Sequence, residues 1–140
     1  MRICLRTFST AAIVIAAVLT SCSRTAEPDQ AFLTDPDIAL RVNGVTLLKY
    51  DPLTWQLGFS PSDNEFQAGD DAMKNWFAVR CSEMPANVGQ KIDATVSWTS
   101  GGEVKSVKDR FEVVKTDGDR FWLWCGKEKT RTAVTVRVLK

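Results

Sequence analysis

From residue 38 onward the chain alternates apolar and polar positions in short runs broken by turn formers. That period of two predicts half-buried β-strands. Residues 38–42 and 45–49 flank Asn43-Gly44, a strong two-residue hairpin signal because both residues tolerate positive φ. Asp51-Pro52 breaks the run. Residues 55–59 and 65–67 are short strand candidates around a cluster of turn formers at 60–64. Residues 68–71 read as a loop and 72–75 as at most one helical turn. A strand at 76–82 follows, then 91–99 (KIDATVSWT), where the alternation is almost perfect. After Ser100-Gly101-Gly102, residues 103–108 and 111–116 read as two strands, or as one long strand with a bulge near Asp109. Asp117-Gly118 is a second two-residue turn. It leads to 120–125, and the chain closes on a β-branched strand at 130–139. Helical periodicity is weak throughout this region. The pattern predicts an all-β domain over 38–140 with eight or nine strands, mostly antiparallel because the links are short.

Alternation also assigns faces. With Cys81 inside, Phe77 and Val79 are inside too, while Trp76, Ala78 and Arg80 face out. With Cys125 inside, Phe121 and Leu123 follow, while Trp122 and Trp124 face out. Ile92, Ala94, Val96 and Trp98 form one apolar row, and Val134, Val136 and Val138 another.

The first 21 residues differ in kind. Arg2 and Arg6 lie in a segment without acids, and the apolar run 11–19 (AAIVIAAVL) is too short to span a bilayer, which takes about 20 residues. Both features suit a signal peptide. The run ends in Leu19-Thr20-Ser21-Cys22, which resembles the lipobox of bacterial lipoproteins. That resemblance implies diacylglycerol on the Cys22 sulfur, cleavage before Cys22 and often acylation of the new amine. Two chains anchor stably where one does not. Ser23 follows the cysteine; the resemblance associates an aspartate there with inner-membrane retention, so its absence leans toward the outer membrane of the envelope. The periplasmic or surface face stays open. Residues 23–37 are polar with two prolines and read, with Cys22, as a lipidated N-terminus and flexible tether over 22–37.

Of four cysteines, Cys4 leaves with the signal peptide and Cys22 carries lipid. Cys81 and Cys125 remain, an even pair in an oxidising compartment, so a disulfide between them is expected; two unpaired buried thiols are the alternative. Cysteine on one strand (Cys81), tryptophan on the next (Trp98) and a second cysteine (Cys125) before the last strand resembles the immunoglobulin pattern. In that family an inter-sheet disulfide packs on the tryptophan. The implied fold is an antiparallel, Ig-like β-sandwich, although Leu123 stands where the family has a tyrosine. A small meander β-barrel would give the same strand pattern. The whole chain also resembles small lipoproteins of Bacteroidetes of uncharacterised function, on residues 55–59, 76–85 and 121–125.

Charge is nearly balanced, with 18 Lys+Arg against 17 Asp+Glu. It leaves no electrostatic footprint for nucleic acid. Histidine is absent, which excludes Ser-His-Asp and Cys-His catalysis and His-ligated zinc. No cofactor or metal motif is present. Asp63, Glu65, Asp70 and Asp71 sit beside Asn64 without the spacing of an EF-hand loop, and read as solvated turn acids. Trp122 and Trp124 are the candidate binding residues: exposed paired rings can stack on sugars or anchor a protein. The other reading is that a further element covers them. The expectation is a non-enzymatic, membrane-anchored binding protein. A lysozyme-type inhibitor, similar in layout to small β-barrel lipoproteins that block that enzyme, and a glycan-binding module are the alternatives.

Overall fold

The computed structural model describes residues 27–35, 37–127 and 130–139. The expected signal peptide over 1–21, the lipobox-like stretch 19–22 and Cys22 lie outside the described residues. A short helix, α1 (Gln30–Thr34), comes first. Nine strands follow among the described residues: β1 (Ala39–Val42), β2 (Val45–Lys49), β3 (Trp55–Ser60), β4 (Glu65–Asp70), β5 (Trp76–Cys81), β6 (Lys91–Ser100), β7 (Glu103–Asp117), β8 (Arg120–Lys127) and β9 (Thr130–Arg137). All pair antiparallel in one sheet of order β2-β1-β9-β8-β7-β6-β5-β4-β3.

That order explains why the sheet is curled. Strands β2 and β3 are neighbours in sequence but occupy opposite edges. A flat sheet of nine strands, at about 4.8 Å per spacing, would hold its edges about 38 Å apart. The link over 50–54 carries the chain from Lys49 to Trp55, a reach of at most about 21 Å fully extended. The sheet must therefore bend, and it forms a half-barrel. Core packing agrees: Phe66 and Phe77 from one end share a single cluster with Leu40, Leu48 and Val134 from the other. The link is itself folded, since the Asp51 carboxylate accepts from Leu53 N at 2.9 Å and from Thr54 Oγ1 at 2.9 Å.

The fold is thus all-β, as the alternation predicts. The described strands make one sheet and not the two of an Ig-like sandwich; the meander alternative is compatible with it. From β3 to β9 each strand pairs with its sequence neighbour, so no Greek-key crossing separates two layers. Trp98 faces the interior, paired across the ladder with Phe77.

Asn43 (φ 54°) and Gly44 (φ 78°) both take positive φ, as the hairpin signal requires. The second turn is displaced by one residue: Asp117 pairs with Arg120, leaving Gly118-Asp119 as the turn. Residues 103–117 are one strand, irregular between Val113 and Lys115 rather than near Asp109. There β7 changes partner. Residues 103–112 pair with β6 and residues from 112 onward with β8, and Glu112 belongs to both ladders.

The stretch expected as a tether carries α1. Five residues are too few for a stable isolated helix; tertiary contacts hold it. The Asp29 side chain caps its start, accepting from Ala31 N at 2.9 Å. At the other end Lys115 Nζ donates to Leu33 O (2.6 Å) and Trp122 Nε1 to Asp35 O (3.2 Å), supplying partners for carbonyls that a helix end leaves open. Phe32 is fully buried against Trp122 and Ala133.

Candidate functional site

The residues singled out by sequence end up mostly inside. Trp122 does face outward from the sheet, as alternation requires, but α1 lies over it and it is 1% exposed. Lys115 Nζ sits 4.6 Å from its ring centroid. Trp124 is partly buried beside it. The pair is therefore not an open stacking platform.

Cys81 and Cys125 are both buried, and both are free thiols. They occupy β5 and β8 of the same sheet with β6 and β7 between them. Three strand spacings are about 14 Å along the sheet, against about 6 Å between Cα atoms for a disulfide. The expected bridge does not form because, among the described residues, there is no second sheet to place the two strands face to face. Burial pushes the Cys81 thiol up to about 12. Burial also raises Cys125, whose neighbouring Asp109 carboxylate acts in the same direction. Neither thiol is a nucleophile at neutral pH.

The acids near residue 64 do not converge. Asp63 is bonded by Ser60 Oγ at 3.2 Å. Glu65 takes Gln67 Nε2 at 2.5 Å and Arg80 Nε at 2.8 Å. Asp70 accepts from Lys74 N, Asn75 N and Asn75 Nδ2 at 2.8, 3.2 and 2.9 Å. The Asn75 side-chain amide, first among these donors, holds the Asp70 carboxyl below its usual range. Among the described residues no group of three or more acids and cysteines is placed to hold a metal ion.

A hollow of about 520 Å³ lies elsewhere, on the outward face of β3, β4, β5 and β6. Pairing register builds it. One cross-strand row runs Gln56, Gly69, Trp76; the next runs Gly58, Gln67, Ala78, Ser97; a third runs Ser60, Glu65, Arg80, Thr95. Directly opposed residues stand about 5 Å apart. In the middle row three of four side chains are glycine, alanine or serine, so that row is low. The rows on either side carry Trp76, Glu65 and Arg80, which stand above it. A smaller depression of about 260 Å³ continues along Glu65, Ala78, Arg80, Thr95 and Ser97.

Two features shape the wall. A Cβ placed on Gly69 would come within 2.8 Å of Trp76 Cβ and 3.2 Å of Met73 Sδ. Glycine is thus required for Trp76 to sit where it does, with Thr99 Oγ1 receiving its backbone N–H at 3.1 Å. The loop from Asp70 to Asn75, closed by the Asp70 carboxylate, carries Met73 at φ 52° and 57% exposed. Asp71, on the same loop, accepts from Gln56 Nε2 at 3.1 Å and so bridges the loop to β3.

Sequence reading placed Trp76 and Ala78 outward but ended β4 at Gln67, because Ala68-Gly69 reads as loop. With β4 cut short the floor was not visible. The usable signal is the recurrence of small residues at outward positions of consecutive strands.

A second cleft, about 710 Å³, is lined by Asp63, Arg80, Cys81, Asp93, Asp109, Arg110 and Lys127 among others. Two ion pairs close within it, Arg110 with Asp93 at 4.0 Å and Lys127 with Asp109, and Lys108 lines it as well. The first hollow keeps unmatched amide and carboxylate oxygens around an aromatic ring. No protein-family model, curated protein or solved structure matches the chain.

Proposed function

We propose that this protein is a non-enzymatic lipoprotein, anchored in a bacterial envelope through lipid on Cys22, whose β domain binds a ligand in the hollow on β3–β6. The lipobox pattern supports the anchor, and among the described residues no helix is long and apolar enough to cross a membrane. The observation that carries the binding reading is the row Gly58, Gln67, Ala78, Ser97, lowered by small side chains beneath Trp76. A surface of this kind, an apolar ring with a few convergent polar groups, is how ligand sites are commonly built. The position of α1 fits the anchored reading. It packs on Trp122 of β8 and Ala133 of β9, and none of its residues lines the hollow.

The test is expression of the full precursor in a bacterium fed a clickable palmitate analogue, followed by fractionation. The wild-type chain should label and sediment with membranes, and Cys22→Ala should do neither. An unlabelled wild-type chain, or Cys22→Ala still retained in the membrane fraction, would remove the anchor.

A second reading, inhibition of a muramidase by an inserted loop, draws on the β6–β7 hairpin. At its tip Thr99 pairs with Val104 and Ser100 with Glu103, and Val104 is 65% exposed. It requires tight 1:1 inhibition of a lysozyme-type enzyme.

A further inference from the structure

The chemistry of the hollow narrows its ligand, provided that the hollow is a binding site at all. Its charge is low. Glu65 is matched by Arg80 at 2.8 Å, and Asp70 is taken up by three donors of its own loop. No lysine lines it. An anionic ligand such as a phosphate or sulfate would meet no unpaired cation and would face Asp71, so charge disfavours it. A purely apolar ligand would cover Gln56, Gln67 and Asp71 without replacing their water, which costs binding energy. A neutral ligand with an apolar face and a rim of hydroxyls, which both donate and accept, matches the indole and the amides beside Asp71.

We propose that the hollow takes a neutral sugar ring lying over the floor of Gly58, Ala78 and Ser97 against Trp76, with its hydroxyls on Gln56, Gln67 and Asp71. The side chains are set for that chemistry. Gln56 Nε2 donates to Asp71 Oδ1, and Gln67 Nε2 donates to Glu65 Oε1. Each amide therefore has its nitrogen oriented and its carbonyl oxygen available as an acceptor. Asp71 keeps a second oxygen. Adjacent acceptors and amide N–H groups at cross-strand spacing suit neighbouring hydroxyls, which both donate and accept. The C–H face of the ring then meets the indole. Gly58 allows approach to the backbone: a Cβ there meets nothing nearer than 3.7 Å.

This last point gives the test. The mature lipidated chain, in a zwitterionic detergent free of sugar headgroups, is titrated calorimetrically with neutral oligomers of glucose, mannose, galactose and N-acetylglucosamine, and with a uronic-acid oligomer. At least one neutral oligomer should bind saturably, more tightly than the uronic acid. Gly58→Val, which fills the floor, and Trp76→Ala, which removes the ring, should each weaken it at least tenfold, and Trp76→Phe should weaken it less than Trp76→Ala. Urea midpoints for all variants report whether folding survives. Absence of binding by every neutral oligomer, tighter binding of the uronic acid, or affinity unchanged in folded Gly58→Val overturns the sugar assignment. Pull-down of an envelope protein that is lost in Gly58→Val would overturn the sugar while leaving the hollow as a binding site; a saccharide bound equally by wild type and Gly58→Val overturns both.

Discussion

Gly69 stands directly across the β4–β5 ladder from Trp76, and a methyl group on Gly69 would come within 2.8 Å of the tryptophan's Cβ. Position 69 therefore sets where the indole lies, although its own side chain is a hydrogen atom. Gly69→Ala should destabilise the domain by about 1–3 kcal/mol, the usual cost of forcing atoms into a packed site. Gly58→Ala, where contacts are ordinary, should be neutral or stabilise by about 0.5–1 kcal/mol through strand propensity. Urea denaturation of both variants checks the contrast. Equal effects would contradict the close approach of Gly69 to Trp76.

Phe32 tests whether α1 belongs to the domain. Phe32→Ala should cost about 3 kcal/mol, in the range for a buried aromatic, and should raise the accessibility of Trp122 to acrylamide quenching. Residues in a flexible tether would give no change in either measurement.

The cysteines give a third expectation. Native protein at pH 8 should react negligibly with a thiol reagent at Cys81, whose burial raises the thiol to about 12. Once denatured without reductant, the mature chain should yield two thiols, from Cys81 and Cys125. Finding none would restore the disulfide and require β5 and β8 to meet across the barrel.

Acid should unfold the domain through specific carboxyls. The Leu53 backbone N–H and the Thr54 hydroxyl lower Asp51, the Asn75 amide lowers Asp70, and Arg137 lowers Asp119. A carboxyl lowered in the folded state stabilises above its unfolded value and loses that contribution as pH falls through the folded one. Stability should be flat near neutrality and decline below about pH 4, the ordinary carboxyl range. Asp70→Asn should shallow that decline, measured as Tm against pH. An unchanged slope would show that Asp70 does not contribute to it.

Much of the fold was legible locally. Alternation located most strands, and Asn43-Gly44 located the first hairpin, because side-chain period and turn conformation are properties of neighbouring residues. Strand order was not legible. That β2 and β3 occupy opposite edges follows from the docking of the N-terminal hairpin onto β9, a contact between Leu40 and Val134 nearly a hundred residues apart. The error over Cys81 and Cys125 has the same root: their parity is a sequence property, but their separation depends on whether β5 and β8 share a sheet. Trp122 and Trp124 were correctly placed on the outward face, yet the cover came from residues 30–34, whose short polar surroundings gave no helical period. The hollow was half visible, with Trp76 and Ala78 read outward and Gly69 taken for a loop.

The most direct measurement is the indole N–H spectrum of the 15N-labelled protein during titration with the tightest neutral oligosaccharide. The Trp76 resonance, assigned with Trp76→Phe, should shift saturably. The Trp122 resonance, held under α1 by its bond to Asp35 O, should stay in place. A shift at Trp122 with none at Trp76, or no shift at either, would contradict a ligand site on β3–β6.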